Sequence, residues 1–187
     1  GLIIAFAVTA ATINLSGCAP LVIGGVAVGA ASIVNDRRTT GSVVDDQSIR
    51  MHISSALGKN EELVAQAHIN VASFNGVVLL TGEAPSEALR SQAGALARAE
   101  ANVRWVHNEI RIAAPSSFMT RSSDSLITSK VKTSLIGTDG TRVKVVTENG
   151  TVYLMGLLYR NEADAVVKQA QQVGGVQRIV KVFEYLD

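Results

Sequence analysis

Only one cysteine, Cys18, occurs among the 187 residues. Its solitude excludes a disulfide-stapled scaffold and any cysteine-based zinc cluster. An excess of charge of either sign is also missing: 17 basic and 16 acidic side chains leave a net charge of +1. No whole-chain field therefore steers the protein to nucleic acid. Residues 1–35 contain no charge at all, and Asp36 is the first charged side chain. Hydrophobic residues make up 47% of the chain, and that uncharged stretch accounts for the excess. The remainder has an ordinary globular composition, which excludes disorder, a collagen-like chain and a multi-span membrane protein.

Leu2 to Leu15 form an apolar run interrupted only by Thr9, Thr12 and Asn14. Residue 1 is Gly and no basic region precedes the run, so the sequence reads as having lost its start. The run ends in Leu15-Ser16-Gly17-Cys18. An apolar segment closed by small residues is the pattern of a cleaved secretory signal, because the peptidase needs an extended backbone without bulk. Leu-Ser-Gly-Cys in this position resembles the bacterial lipobox, which implies cleavage before Cys18 and fatty chains on its sulfur. Ala19, where an Asp would signal retention, implies sorting to the outer membrane. Residues 1–17 are thus expected to be a lipoprotein signal peptide. Residues 18–44 are expected to hold the lipidated Cys, an apolar Gly-rich segment and a linker. Pro20 to Val34 is short for a spanning helix, which needs about 20 residues. It is expected to lie on or near the membrane, the alternative being a composite span through residues 2–34.

The rest of the chain is one unit written twice. Asn75-Gly76 and Asn149-Gly150 each sit between two β-rich runs, Ile69 to Gly82 and Val143 to Gly156. Asn-Gly tolerates positive φ at both central positions of a type I′ turn, so each pair predicts a hairpin. Before the hairpins, Ile49, Ile53, Ala56 and Leu57, and then Ile127, Val131, Ser134 and Leu135, follow a helical stripe. Asp46 and Asp124 are the expected N-caps of these helices. After the hairpins, Leu89, Ala93, Leu96 and Ala97 mark a helix opened by Pro85-Ser86. Ala163, Val166, Ala170 and Val173 mark another, opened by Asn161 and closed by Gly174-Gly175. A strand ends each unit, Val103 to Ile112 and Val176 to Tyr185, and parallel pairing is available to it because a helix precedes it.

The expected fold is therefore α+β: two tandem αββαβ domains, 45–112 and 123–187, joined by a linker at 113–122. Each should be a three-stranded mixed sheet with two helices on one face. Domains of this size are marginal alone, so docking between them is expected. This unit, with Asn-Gly in the hairpin and Gly after the second strand, resembles the BON domain (bacterial OsmY and nodulation). Val146-Thr147-Glu148-Asn149-Gly150 and Val152-Tyr153-Leu154-Met155-Gly156, behind a lipobox, resemble the dual-BON outer-membrane lipoproteins. That resemblance implies anchoring in the outer membrane facing the periplasm. It further implies a role in envelope integrity and at division sites, and binding of anionic phospholipid.

No catalytic constellation is visible. His52, His68 and His107 have no partners at metal-ligand spacing, and no serine sits in a strained elbow. Glu61-Glu62 reads as a solvated loop. No enzyme activity, cofactor or metal is expected, and what the copies share is turns, caps and core residues.

Their differences are more informative. Residues 45–112 hold six basic and eight acidic side chains, residues 121–187 nine and seven. On the first helix of the second unit, Leu126, Lys130, Thr133 and Ile136 fall outside the core stripe, with Lys132 at one edge. The first unit has Ser48, His52, Ser55, Gly58 and Ser54 at those positions. Apolar tips beside ammonium groups suit an anionic lipid surface. The family resemblance carries lipid contact to this helix and so to Leu126, Lys130, Lys132 and Thr133. Relatives carry an aromatic residue where this chain has Leu126, which lacks the amphipathic ring favoured at headgroup level. One alternative is that Leu126 and Ile136 pack on the other domain; another is that the protein is an adaptor whose same helix docks the other domain or an envelope partner, such as a cell-wall enzyme it regulates.

Overall fold

A computed structural model describes residues 36–187. Cys18, the signal segment and the apolar stretch 20–34 lie outside the described residues. Thirteen elements follow one another: α1 (Thr40–Gly58), α2 (Glu61–Gln66), β1 (His68–Phe74), β2 (Val77–Ala84), α3 (Glu87–Arg98), β3 (Trp105–Asn108), β4 (Arg111–Ile112), α4 (Phe118–Ser134), a 3-10 turn (Asp139–Arg142), β5 (Lys144–Glu148), β6 (Thr151–Leu158), α5 (Arg160–Gln171) and β7 (Arg178–Tyr185). In each unit the hairpin is antiparallel and the last strand lies parallel to the hairpin's second strand. The central strands are β2 and β6. Asn75 and Asn149 have φ of 53° and 48°, and Gly76 and Gly150 have 73° and 71°, the type I′ turns that the Asn-Gly pairs predict.

Apolar stripes close two separate helix-on-sheet cores. In the first, Ile49, Ile53, Leu89 and Ala93 pack on Val78 and Leu80. In the second, Ile127, Val131, Ala163 and Val166 pack on Val152 and Leu154. A third core joins the domains through the opposite faces of the sheets: Ala72, Phe74, Val77 and Leu79 against Tyr153, Met155 and Val182. The architecture is four layers, helices outside and two sheets stacked inside. Every residue of β2 is consequently buried. Burying the large side chains of this seam yields on the order of 10 kcal/mol, comparable to the entire net stability of a domain. The two domains therefore hold together as one body.

Polar contacts cross the seam with approximate two-fold symmetry. Lys144 Nζ donates to the Ser73 carbonyl at 3.0 Å, and Asn70 Nδ2 donates to Glu148 Oε2 at 2.7 Å. Each hairpin tip reaches across: Asn75 Nδ2 donates to Glu184 Oε1 at 2.8 Å, and Asn149 Nδ2 donates to Glu83 Oε1. Burial pushes the Glu148 carboxyl up, reinforced by the charges of Glu83 and Asp124 and opposed by the Asn70 bond. Burial likewise lowers Lys144.

Three local expectations are corrected. Asp46 and Asp124 are not caps. Thr39 caps α1 and Ser117 caps α4, so Asp46 and Asp124 stand inside their helices, 5% exposed, and clip them to the hairpins. Asp124 accepts from Asn149 N at 2.8 Å and Gly150 N at 2.9 Å. Asp46 accepts from Asn75 N, Gly76 N and Ser73 Oγ, and pairs with Arg38 at 2.7 Å. A type I′ turn leaves two N–H groups pointing at the helix, and a carboxylate satisfies both. Glu61 and Glu62 are not in a loop but form the first turn of α2, where Asn60 caps and the helix dipole favours them. The helix after the second hairpin opens at Tyr159, not Asn161; Tyr159 N donates to Glu162 Oε2 at 2.9 Å.

Asp36, Arg37 and Arg38, expected to be linker, bind both domains. Arg37 forks onto Glu162 at 2.5 and 2.7 Å, donates to the Leu157 carbonyl and lies 5.0 Å from the Tyr159 ring centre. Arg38 pairs with Asp36 and Asp46 and stacks 3.9 Å over the Phe74 ring. Adjacent residues thus grip opposite domains. The Arg37 guanidinium holds the Glu162 carboxyl down to about 2.

Candidate membrane-contact face

Ser117 Oγ accepts from Thr120 N at 3.2 Å and starts α4 inside the stretch read as linker. Asp124, Ile127 and Val131 turn inward. The opposite side carries what the sequence picks out: Leu126 is 63% exposed and Ile136 71%, and Lys130, Lys132 and Thr133 are exposed beside them. Leu126 and Ile136 do not pack on the other domain, where the sheets make the contact, and the domain-packing alternative is corrected. Ser134, expected in the core stripe, is half-buried and donates to the Val131 carbonyl at 2.8 Å.

The early start of the helix adds two residues that sequence reasoning missed. Phe118 and Met119 are 76% and 77% exposed. At about 100° per residue, Met119, Leu126 and Thr133 point in nearly the same direction, with Lys130 about 40° round one side. Phe118 and Lys132 share the other flank. The signal for them was Ser117, a good N-cap directly before an apolar pair. The result is a row of apolar tips with a lysine on each side. Among the described residues, no helix is long and apolar enough to cross a membrane, and no group of three His, Cys, Asp or Glu could hold a metal ion.

Comparison with known proteins agrees with this architecture. The BON domain matches residues 45–114 and 123–187, so the chain belongs to the BON-domain family in its two-copy form. It is 40% identical over 181 residues to the outer membrane lipoprotein DolP of Haemophilus influenzae, covering 95% of this chain and 93% of the relative. It is 38% identical over 154 residues to the 21 kDa hemolysin of Actinobacillus pleuropneumoniae, covering 81% and 79%. Identity to the osmotically-inducible protein Y of Escherichia coli is 26% over 175 residues, covering 82% and 87%. The chain is thus a tandem BON-domain protein of the outer-membrane lipoprotein type.

Proposed function

We propose that this is a non-catalytic envelope protein, anchored in the outer membrane through acylated Cys18 and facing the periplasm. The outer face of α4 contacts anionic phospholipid and thereby supports outer-membrane integrity, including at division sites. The observation that carries the reading is the exposed row Phe118, Met119, Leu126 and Ile136 flanked by Lys130 and Lys132. Likeness to an outer membrane lipoprotein over nearly the whole chain supports the anchor.

Magnitudes divide the labour. A buried acyl chain contributes on the order of 10 kcal/mol, whereas each lysine near an anionic surface contributes about 1 kcal/mol. Cys18 holds the protein on the membrane, and α4 selects lipid and sets orientation. Flotation of residues 36–187 with vesicles tests this. Binding to anionic but not zwitterionic vesicles, lost in Leu126→Glu and kept in Ser48→Glu, is expected. Absence of binding to every vesicle would instead favour an adaptor that docks an envelope protein on the same helix.

A further inference from the structure

Beside the start of α4, between the two domains, a groove of about 620 Å3 opens to solvent. Met119, Ser123 and Asp124 of α4 line it, together with Gly150 of the second hairpin, Gln177, and Arg111 from β4 of the first domain. Arg111 brings the groove its one full positive charge, and its side chain has no hydrogen bond or ion pair among the described residues. The nearby acids are already committed. Both Asp124 oxygens accept backbone N–H groups of the hairpin, at 2.8 and 2.9 Å. Glu83, beside Arg111 in the strand ladder, accepts from Ser116 N at 3.0 Å and from Asn149 Nδ2. Met119 belongs both to this groove and to the exposed apolar row, so the groove continues the face already described.

We propose that the groove receives the phosphate headgroup of an anionic phospholipid. Arg111 meets the phosphate, Ser123 and Gln177 supply neutral hydrogen bonds, and Met119 and Leu126 take the first methylenes of the chains. An anion fits because the free guanidinium has donors for two phosphate oxygens and no internal partner to surrender. This deepens the lipid reading and rests on it. It makes the first domain a participant in headgroup recognition, so the site is complete only when both domains are stacked.

The test uses the full acylated chain in vesicles, with a polarity-sensitive dye on Ser129→Cys beside the apolar row. Raising the anionic lipid fraction should shift the dye emission to the blue. Arg111→Gln should weaken that response about fivefold, the effect of one cation at a charged surface, while Arg111→Lys retains most of it. Leu126→Glu should abolish it. Arg111 is exposed and makes no hydrogen bond or ion pair among the described residues, so the thermal melts should coincide. An unchanged response in Arg111→Gln, with Leu126→Glu still silent, would sink the groove and leave the lipid face standing. No response from the unmodified chain would sink both. A response to inorganic phosphate on zwitterionic vesicles would overturn the headgroup as occupant.

Discussion

The two domains repeat the same order of elements, yet they have parted in three places. The outward face of α4 is apolar and lysine-flanked, whereas the matching positions of α1 are Ser48, His52, Ser54, Ser55 and Gly58. There His52 is engaged with Glu100 at 2.9 Å. The β6–β7 ladder runs unbroken through eight residue pairs, but its counterpart is interrupted between β3 and β4. Gly82 stands at the interruption: its φ is +112° and a Cβ there would sit 1.9 Å from the His68 carbonyl oxygen. Gly156, at the same place in the second copy, has no such conformation, and the closest atom to a Cβ there would be Val143 Cγ2 at 3.3 Å. Finally, the helix-to-hairpin clip has four partners at Asp46 and two at Asp124. Duplication kept the frame, and divergence fell on the surfaces and on the strain.

Each difference can be broken separately. The largest effect should come from the clip. Asp46→Ala strands two backbone N–H groups and a paired arginine, costing about 4 kcal/mol, against about 2 kcal/mol for Asp124→Ala. Urea unfolding of the two variants measures the gap, and equal losses would contradict it. Next, Gly82→Ala should cost about 3 kcal/mol through strain and the carbonyl clash, while Gly156→Ala stays within about 1 kcal/mol. Exchanging the outward faces is subtler. Ser48→Leu with His52→Lys should give α1 measurable affinity for anionic vesicles, while leaving the melting temperature within a few degrees.

The smallest effects concern pH. The carboxyl of Glu148 titrates higher in the folded protein than in the unfolded chain. Its contribution is therefore present at low pH and lost as pH rises through the folded value. Glu148→Gln should remove that loss, raising stability slightly at pH 7 and not at pH 4, with Asn70 still hydrogen-bonded. Glu162 has the opposite sign: its contribution is full above the ordinary glutamate range and disappears as pH falls towards about 2. Arg37→Ala should flatten that part of the pH–stability curve.

Much of this frame is legible in the sequence because it is local. The Asn-Gly turns depend on two adjacent residues, and the stripes Ile49-Ile53-Leu57 and Ile127-Val131-Leu135 on one period. The exposure of Leu126 and Ile136 follows from that same period. What escaped depends on distance along the chain. Asp is as good an N-cap as a hairpin clip, and nothing near Asp46 announces Gly76, thirty positions on. The stacking of the sheets could have been suspected from Val77 to Leu80, four apolar residues without alternation, the mark of a strand covered on both faces. Arg37 and Arg38 look like solvated linker charges until Glu162 and Asp46 are brought beside them.

That pair of arginines has a mechanical meaning. Whatever tension the chain before Asp36 transmits reaches Glu162 through one side chain and Asp46 through its neighbour. The load divides between the two modules at the point of attachment. A pull at Asp36 is therefore shared by both halves instead of falling on one alone.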